Sequence, residues 1–472
     1  MKPLKRSTIP SSVTRPVKVL QFGEGNFLRA FVDWIIDILN EKTDFNGAVE
    51  IVQPISKGMA DMVNAQDGLY HVVLNGIQNG KTVSETRLIT AVAGAFNPYE
   101  DYHRFLKTAE NPELKFIVSN TTEAGITFSS SDTSTTSLPD TFPGKVTALL
   151  HHRFNFFKGA RDKGLALIPC ELIEKNGETL RQTILQYISL WNLSPEFKQW
   201  VVDHNQFCNT LVDRIVPGFP KDTIKEIQGS VGYEDNLVVT AEPFHLWVIE
   251  APESVQKSFP ADKAGLQVKF VNDLTPYRTR KVRILNGAHT ALVPVAYLQG
   301  LRTVRESVDD TFAGDFIRRA IFEEIIPTLD LSKEELTQFA NDVIERFQNP
   351  FIRHELSSIA LNSISKYKVR VLPSVLEFQK RTGKLPERLV QSLAALIRFY
   401  KGDWHGETLP VNDTPEILVF FKQVWTEKDL KGIATKVLAN QEFWGTDLNK
   451  VPGLSELVAE QLRQLESTPA KV

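Results

Sequence analysis

The chain has 472 residues, of which 42% are hydrophobic and 24% are charged, and its formal net charge is −3. A chain longer than about 300 residues rarely forms one core, so we expect two domains. The nearly balanced charge gives no reason to expect nucleic acid or an anionic membrane as a partner. No apolar run reaches the length of a membrane span, and no signal-peptide core follows the basic N-terminus. The composition predicts a soluble, cytoplasmic protein.

The number of cysteines argues against a structural metal site. Two cysteines, Cys170 and Cys208, are too few for a disulfide framework or a zinc site. No group of Cys, His and Asp residues has the spacing of metal ligands. We therefore expect chemistry that does not depend on a metal, and we expect Cys170 to be an unreactive buried thiol.

The first structural element is a short apolar run at 17–22, which ends in Gly23 and Gly25. Apolar residues at helical spacing follow at 27–39. A strand, a glycine turn and an amphipathic helix open a dinucleotide-binding fold, because the glycines let backbone N–H groups approach a pyrophosphate. The third glycine of Gly-x-Gly-x-x-Gly is Leu28 here, so an ordinary structural turn is the alternative.

Later apolar runs predict further strands. They are 49–55, 71–77, 87–92, 114–119, 164–173, 237–241 and 267–271, with Asn79-Gly80 as the turn of a hairpin. Dinucleotide folds often end their second strand in an acid that binds the adenosine ribose. Here Gln53 and Pro54 occupy that place, and no acid follows until Asp61. This departure leaves the choice between NAD and NADP open.

Polar residues follow two of these strands, at the end where ligands of parallel sheets bind. Asn120 and Glu123 come after the run 114–119, and Asn176 comes after the run 164–173. The alternative for the first pair is an ordinary strand-to-helix turn with a threonine as helix cap.

The segment Lys281-Val-Arg-Ile-Leu-Asn286-Gly-Ala-His289 has the pattern of a helix. Pro276 suits its first turn, and apolar residues recur along it at helical spacing. At 100° per residue, the side chains of Lys281, Asn286 and His289 project within about 140° of one another and can converge on one small ligand. The alternative is a solvated lysine, an asparagine before a kink, and a hydrogen-bonded core histidine.

From Thr275 onward the pattern predicts helices. They are expected at 311–329, after a capping box at Ser332-Lys-Glu-Glu335, and at 351–368, 387–401, 415–426, 428–440 and 454–466. The predicted fold class is α/β. A Rossmann-like dinucleotide-binding domain at 1–272 is followed by an all-helical domain at 273–472.

Two motifs carry a family resemblance. Lys-x4-Asn-x2-His within Ile-Leu-Asn-Gly-Ala-His, together with Gly-Glu-Gly-Asn-Phe-Leu-Arg near the N-terminus, resembles the mannitol dehydrogenase family of long-chain polyol and sugar-acid dehydrogenases. The resemblance covers nearly the whole chain, with further similar segments at 66–70, 120–125 and 210–217. It implies that Lys281 is the general acid/base and that Asn286 and His289 hold the reacting oxygen.

The same resemblance implies a set of binding residues, with NAD as the cofactor. The cofactor contacts are Phe22, Gly23, Gly25, Asn26, Phe27, Asn120 and Glu123, with Arg29 bracing the turn. The expected substrate contacts are Asn176, Asp213 and Arg370. For Asp213 and its neighbour Arg214 the alternative is an ion pair between elements, and for Arg370 it is a solvated basic helix face.

Without a metal, hydride transfer between a secondary alcohol and a ketone needs another group to take the hydroxyl proton, and Lys281 suits this task. Resemblance to the branch that acts on sugar acids implies reversible reduction of D-tagaturonate to D-altronate with NADH, in galacturonate catabolism. Reduction of fructuronate and oxidation of mannitol are the nearest alternatives. A non-catalytic dinucleotide-binding sensor is an alternative of another class, although a sensor need not keep an acid/base lysine. The expected state is a monomer or a small homo-oligomer.

Overall fold

The computed structural model describes residues 1–10, 13–121 and 125–467 of the chain. The chain divides into two units. The first unit holds Met1–Asn75 and Thr82–Leu274, and the second holds Gly76–Lys81 and Thr275–Val472.

The first unit alternates strands and helices. Its strands are β1 (Lys2–Pro3), β2 (Val17–Phe22), β3 (Ala48–Val52), β4 (Tyr70–Gln78), β5 (Lys81–Ile89), β6 (Val92–Phe96), β7 (Phe116–Ser119), β8 (Ala166–Pro169), β9 (Gln206–Phe207), β10 (Asn209–Asp213), β11 (Tyr233–Glu234), β12 (Val239–Ala241), β13 (Leu246–Glu250) and β14 (Val268–Val271). Its helices are α1 (Asn26–Ala30), α2 (Val32–Lys42), α3 (Ala60–Ala65), α4 (Tyr102–Thr108), α5 (Phe142–Phe156), α6 (Asn176–Leu190), α7 (Pro195–His204), α8 (Ile224–Val231) and α9 (Glu253–Ser258).

The central sheet of this unit is parallel and has the strand order β6-β3-β2-β7-β8-β9. Counted from β2, this is the order 3-2-1-4-5-6 of the doubly wound dinucleotide-binding fold. The order reverses between β2 and β7, so the carboxyl ends of these two strands form the switch point at which ligands of such sheets bind. Smaller sheets, β12-β4-β5 and β10-β13-β14, accompany it. The predicted Rossmann-like fold is confirmed.

The strands of the central sheet are apolar on both faces, as a parallel sheet covered by helices requires. Val19 and Val118 belong to one buried cluster, whereas Leu20 and Ile117 belong to another. Because successive side chains of a strand point to opposite faces, the two clusters lie on opposite sides of the sheet. Gln21 departs from this pattern, because it is a fully buried polar residue within β2.

Several element boundaries before Thr275 differ from the prediction, including those at 27–39 and in the hairpin. The stretch 27–39 forms two helices that meet at Phe31, whose φ of −124° and ψ of −72° interrupt the helix. The predicted hairpin is confirmed, with positive φ at Asn79 (52°) and Gly80 (72°), as a two-residue turn of this kind requires. Its second strand begins at Lys81, earlier than predicted.

The second unit is helical apart from the two-residue strands β15 (Asp403–Trp404) and β16 (Glu407–Thr408). Its helices are α10 (Thr275–Arg280), α11 (Gly287–Leu298), α12 (Val304–Asp309), α13 (Thr311–Arg319), α14 (Lys333–Phe347), α15 (Leu356–Ile359), α16 (Ser363–Arg370), α17 (Leu372–Thr382), α18 (Glu387–Phe399), α19 (Pro415–Val424), α20 (Leu430–Leu438), α21 (Gln441–Trp444) and α22 (Leu454–Glu466). The prediction of one helix at 351–368 is wrong. Asn362, with φ 52°, separates α15 from α16 because a left-handed residue cannot continue a helix.

Two stretches of the second unit are π-helical, with i→i+5 hydrogen bonds in place of i→i+4. They are Lys281–Asn286, which joins α10 to α11, and Ala320–Ile325, which follows α13. The first of these contains two of the three residues of the predicted catalytic cluster. The sequence pattern predicted an α-helix there.

Within the described part of the chain, no helix is long and apolar enough to cross a membrane. The same residues contain no group of three or more His, Cys, Asp and Glu side chains that could hold a metal ion. Cys170 and Cys208 are buried free thiols, and burial raises the pKa of both.

Candidate active site

The glycine turn follows β2 at the switch point of the parallel sheet. Gly23 has φ +125°, which favours glycine, and its N–H donates to Val52 O at 3.1 Å. Gly25 is different, because its φ of −66° and ψ of 164° suit any residue and a Cβ there would have no neighbour within 4 Å. The fold itself therefore does not require glycine at position 25. An exposed backbone without a side chain is what the close approach of a ligand requires.

A buried arginine stabilises this turn through hydrogen bonds. Arg29 is 1% exposed and donates from Nε to Glu24 O at 3.0 Å and from Nη2 to Asn26 Oδ1 at 2.8 Å. Its Nη1 donates to Leu237 O, which ties the turn to the segment before β12. The prediction that Arg29 braces the turn is confirmed.

A second buried polar group supports Gly23. Gln21 Nε2 donates to Gly23 O at 3.1 Å and to Asp33 Oδ2 at 3.4 Å, and the Tyr70 hydroxyl donates to the same carboxylate at 2.8 Å. Burial raises the pKa of Asp33 to about 7, against the opposing effect of these hydrogen bonds. The sequence prediction did not include this network. A glutamine inside an apolar strand is a signal for it.

The other side of the switch point is the end of β7. Asn120 N–H donates to Phe22 O at 3.3 Å, so the segments that follow β2 and β7 lie side by side. Phe27, next to the turn, stacks on Phe31 with ring centroids 5.0 Å apart. The structure thus brings together predicted cofactor residues from both strands. Glu123, predicted with them, lies outside the described residues.

Asn176 is fully engaged by its own unit. It is 1% exposed, and its Nδ2 donates to Pro169 O at 3.0 Å and to Glu171 O at 3.1 Å. Its Oδ1 accepts from the N–H of Thr210 at 2.8 Å. Both ends of the amide therefore join the ends of β8 and β10. These hydrogen bonds give Asn176 a structural role, and its contact with a substrate stays a prediction.

Asp213 and Arg214 lie at the end of β10. Asp213 is the last residue of β10 and is 5% exposed. Arg214 donates from Nε to Glu242 O at 2.9 Å and from Nη1 to Ala30 O at 2.7 Å, and its guanidinium carbon lies 4.2 Å from the ring centroid of Trp34. Burial lowers the pKa of Arg214 to about 9, although the charge of Glu242 opposes this shift. Arg214 therefore holds the segment after β12 against the end of α1.

In the second unit, Lys281 and Asn286 are the first and last residues of the π-helical turn. In an α-helix, side chains five residues apart project about 140° from one another. The i→i+5 hydrogen bonding of a π-turn brings positions five apart close to the same face. The Lys-x4-Asn spacing therefore suits this local geometry better than the predicted α-helix. Both side chains are half-buried.

His289 lies three residues after Asn286, in the first turn of α11. Its ring stacks on Phe347, with centroids 4.1 Å apart and planes 16° apart. The ring of His354 meets it edge-on at 4.9 Å. These contacts fix the plane of the imidazole. Burial lowers the pKa of His354, which favours the neutral form of this neighbour.

Gly287 allows the end of α16 to lie beside this cluster. A Cβ at Gly287 would lie 2.9 Å from Arg370 O, so the helix approaches closely because the residue is glycine. Lys366 lies one turn before Arg370 on α16, so the two cations share a helix face. Burial lowers the pKa of both groups, and the positive charge of Arg370 adds to the effect on Lys366. The structure therefore brings Arg370 close to the helix that carries Lys281.

Comparison with protein families covers both units. Residues 17–263 match the mannitol dehydrogenase Rossmann domain, and residues 273–466 match the mannitol dehydrogenase C-terminal domain. The chain belongs to the mannitol dehydrogenase family. As a member of this family it is an oxidoreductase that acts on a CH–OH group, and the family predicted from the two motifs is confirmed.

Curated relatives in the mannitol dehydrogenase family match nearly the full length. Altronate oxidoreductase of Bacteroides thetaiotaomicron is 51% identical over 99% of this chain and 98% of its own. Altronate oxidoreductase of Phocaeicola vulgatus is 50% identical over the same shares. That of Bacillus subtilis is 50% identical over 98% of this chain and 96% of its own. The chain is thus a polyol or sugar-acid dehydrogenase.

Two solved structures share the fold. Mannitol 2-dehydrogenase of Pseudomonas fluorescens, solved with NAD and D-mannitol, has a TM-score of 0.67 and 23% identity, and covers 99% of this chain and 97% of its own. A substrate-free D-sorbitol dehydrogenase has a TM-score of 0.82 and 23% identity, and covers 99% of this chain and 98% of its own.

The contact between Gly287 and α16 can be tested by adding one carbon. We expect Gly287→Ala to lower the free energy of unfolding by about 1–3 kcal/mol, because the obstacle is a backbone carbonyl that cannot move alone. The measurement is denaturant unfolding. The control is Gly229→Ala, a glycine inside α8 with open space around it, which should leave stability equal or slightly higher. Equal stability of Gly287→Ala and the wild type would contradict the close approach.

Proposed function

We propose that the chain is an NAD-dependent tagaturonate reductase, or altronate oxidoreductase, which interconverts D-tagaturonate and D-altronate in galacturonate catabolism. The observation that carries this proposal is the identity of about half of all residues, over 98–99% of the chain, with relatives named altronate oxidoreductase. A cytoplasmic location and a monomer or small homo-oligomer, both predicted from the sequence, are part of the proposal.

The two predicted domains take different tasks in this proposal. Domain 1–272 holds the dinucleotide at the glycine turn and at the ends of β2 and β7, through Phe22, Gly23, Gly25, Asn26, Phe27, Asn120 and Glu123. Domain 273–472 supplies the acid/base and substrate groups. The fit of the turn to a dinucleotide rests on Gly25, an exposed glycine that the fold does not require. A bound nicotinamide supplies the hydride acceptor for oxidation and the hydride donor for reduction.

Lys281 is the group that moves the proton. In altronate oxidation its neutral amine accepts the proton of the reacting hydroxyl, while the carbon that bears this hydroxyl loses a hydride to the nicotinamide. In reduction its ammonium returns the proton to the oxygen. Asn286 and His289 donate hydrogen bonds to that oxygen as its negative charge develops. The π-turn supports this division of roles, because it turns Lys281 and Asn286 towards one face.

Arg370 is proposed to bind the substrate carboxylate, with Asp213 as a further substrate contact. A half-buried guanidinium is more weakly hydrated than a solvated one and can pair with a carboxylate through two N–H groups. Asn176 joins the strand ends through its amide, and in this proposal it acts as a positioning residue beside the substrate site.

A substrate panel tests the proposed function. The purified chain should oxidise NADH faster with D-tagaturonate than with D-fructuronate or D-fructose. Faster turnover of fructuronate would make it a fructuronate reductase, and faster turnover of fructose would make it a mannitol 2-dehydrogenase. Binding of NADH without turnover of any of the three would favour the sensor.

Gly25→Val should weaken NADH binding by at least about tenfold, because a branched side chain keeps the pyrophosphate away from the backbone. The protein should remain folded, since the dihedral angles of Gly25 suit valine and no neighbour lies within 4 Å of a Cβ. Fluorescence titration measures the affinity. Gly23→Ala should behave differently and reduce stability, because Gly23 has φ +125° and a Cβ there would lie 3.1 Å from the Leu28 side chain. Unchanged NADH affinity in folded Gly25→Val would show that the turn does not hold the cofactor.

Lys281→Ala should lower turnover by roughly a hundredfold to ten-thousandfold, the range of a general acid/base. Altronate oxidation by the wild type should rise with pH, because the amine must be neutral to accept a proton, and the variant should lose this dependence. Asn286→Ala should lose about 2.7–4 kcal/mol of transition-state stabilisation and keep the dependence. The measurement is the pH–rate profile at saturating NAD. A chelator should leave the wild-type profile unchanged, because the proposed chemistry does not use a metal. Lys380→Ala, an exposed lysine of α17, is the control. A wild-type profile in Lys281→Ala would return Lys281 to the solvated face of a helix.

Arg370→Gln should raise KM for altronate at least about tenfold, because a charge-assisted pair with the carboxylate is lost. Any activity with mannitol, which has no carboxylate, should be unaffected. Lys368→Gln is the matched control on the same helix, since Lys368 Nζ is directed to Glu442 O at 3.5 Å. An equal effect of Arg370→Gln on both substrates would assign Arg370 a structural role.

A further inference from the structure

The end of β3 is the place at which a dinucleotide fold usually recognises the adenosine ribose, through a carboxylate that binds its hydroxyls. This chain has Gln53 there. Gln53 is 4% exposed, its Nε2 donates to Ile55 O at 2.8 Å, and its Oε1 accepts from Ala60 N–H at 3.2 Å. Both ends of this amide therefore organise the loop that leads to α3. Gln53 does not replace the missing carboxylate.

A carboxylate reaches the same loop from the glycine turn. Glu24 lies between Gly23 and Gly25, and its Oε1 accepts from Met59 N–H at 3.2 Å. A Cβ at Gly58 would lie 2.2 Å from this Oε1 and 2.5 Å from Gln53 Cδ, so the side chain of Glu24 occupies the space that a glycine leaves open. The carboxylate thus spans from the turn after β2 to the loop after β3.

One oxygen of this carboxylate has no hydrogen-bond partner within the described part of the chain, which is also true of Gln21 Oε1 and Asp33 Oδ1. Glu24 is 7% exposed, and its Oε2 is buried without a hydrogen-bond partner among the described residues. Burial raises the pKa of Glu24, and the backbone N–H groups of Glu24 itself and of Met59 oppose the shift, as does the positive charge of Arg29. A buried carboxylate oxygen without a donor is costly unless a ligand supplies one. The nearby acid Asp61 is exposed on α3.

We propose that Glu24 binds the adenosine ribose hydroxyls and thereby makes this chain prefer NAD(H) over NADP(H), an inference that rests on the dinucleotide binding of the proposed function. The ribose 2′-hydroxyl donates a hydrogen bond that Oε2 lacks. The 2′-phosphate of NADP(H) offers acceptors and negative charge in its place, and like charges at close range are repelled. The ribose carboxylate of this chain therefore comes from the glycine turn and not from the end of β3.

Glu24→Gln tests the charge with little change of shape, because the amide oxygen can still accept from Met59 N–H. The measurement is the Kd of NADH and of NADPH by fluorescence titration of the full chain, without substrate. The wild type should bind NADH more tightly than NADPH. The ratio of the Kd of NADPH to the Kd of NADH should fall by at least about tenfold in the variant. Asp61→Asn, which removes an exposed acid nearby, should leave the ratio unchanged. An unchanged ratio in folded Glu24→Gln overturns the proposal.

A cofactor without the 2′-hydroxyl tests the hydrogen bond itself. The wild type should bind 2′-deoxy-NADH at least about tenfold more weakly than NADH, and Glu24→Gln should show a much smaller difference. An equal difference in both proteins overturns the proposal.

Two outcomes distinguish failure of the Glu24 inference from failure of the proposed function. A chain that binds neither NADH nor NADPH would overturn both the inference and the proposed function. A lower ratio in Glu24→Gln combined with no turnover of any sugar acid would support the inference and overturn the proposed function alone.

Discussion

The i→i+5 hydrogen bonding between Lys281 and Asn286 is the constraint on which the proposed chemistry depends. The two residues are five positions apart, a spacing that in an α-helix would leave their side chains about 140° apart. The π-turn brings them towards one face and then returns to α-helix at Gly287, so that His289 follows at an ordinary helical interval. The π-turn thus compensates for the five-residue spacing between the lysine and the asparagine of the motif. The rings of Phe347 and His354 then fix the imidazole.

Packing supports this turn within the second unit. Gly287 lies where the π-turn ends, and it lets the backbone of α16 come within contact distance. That approach also determines where Arg370 lies, because Arg370 is the last residue of α16. The cation proposed for the carboxylate and the amide proposed for the reacting oxygen are therefore positioned by one helix contact.

The first unit depends on buried polar groups in the same way. Arg29 and Gln21 donate to the carbonyls of residues that form the glycine turn, and Asp33 and Tyr70 extend this network into the core. Hydrogen bonds between buried polar groups are strong in this low-dielectric environment and favour one conformation of the turn. Among the described residues, Gln21 Oε1, Asp33 Oδ1 and Glu24 Oε2 are all buried without a hydrogen-bond partner. Glu24 differs in position, because its carboxylate reaches Met59 in the loop after β3, and for this reason we assign it a ligand and the others a supporting role.

The sequence by itself determined the class of fold, the family, and the position of the glycine turn and of the Lys/Asn/His cluster. Hydrophobic spacing and turn residues are local, so they mark the strand at β2, the hairpin at Asn79 and Gly80, and most helices after Thr275. Tertiary structure decided what local patterns do not contain. A π-turn has no hydrophobic period of its own, the break at Asn362 depends on one left-handed residue, and the engagement of Asn176 needs partners from β8 and β10. The path of the Glu24 side chain to Met59 joins residues 35 positions apart, and such contacts exist only once the sheet has formed.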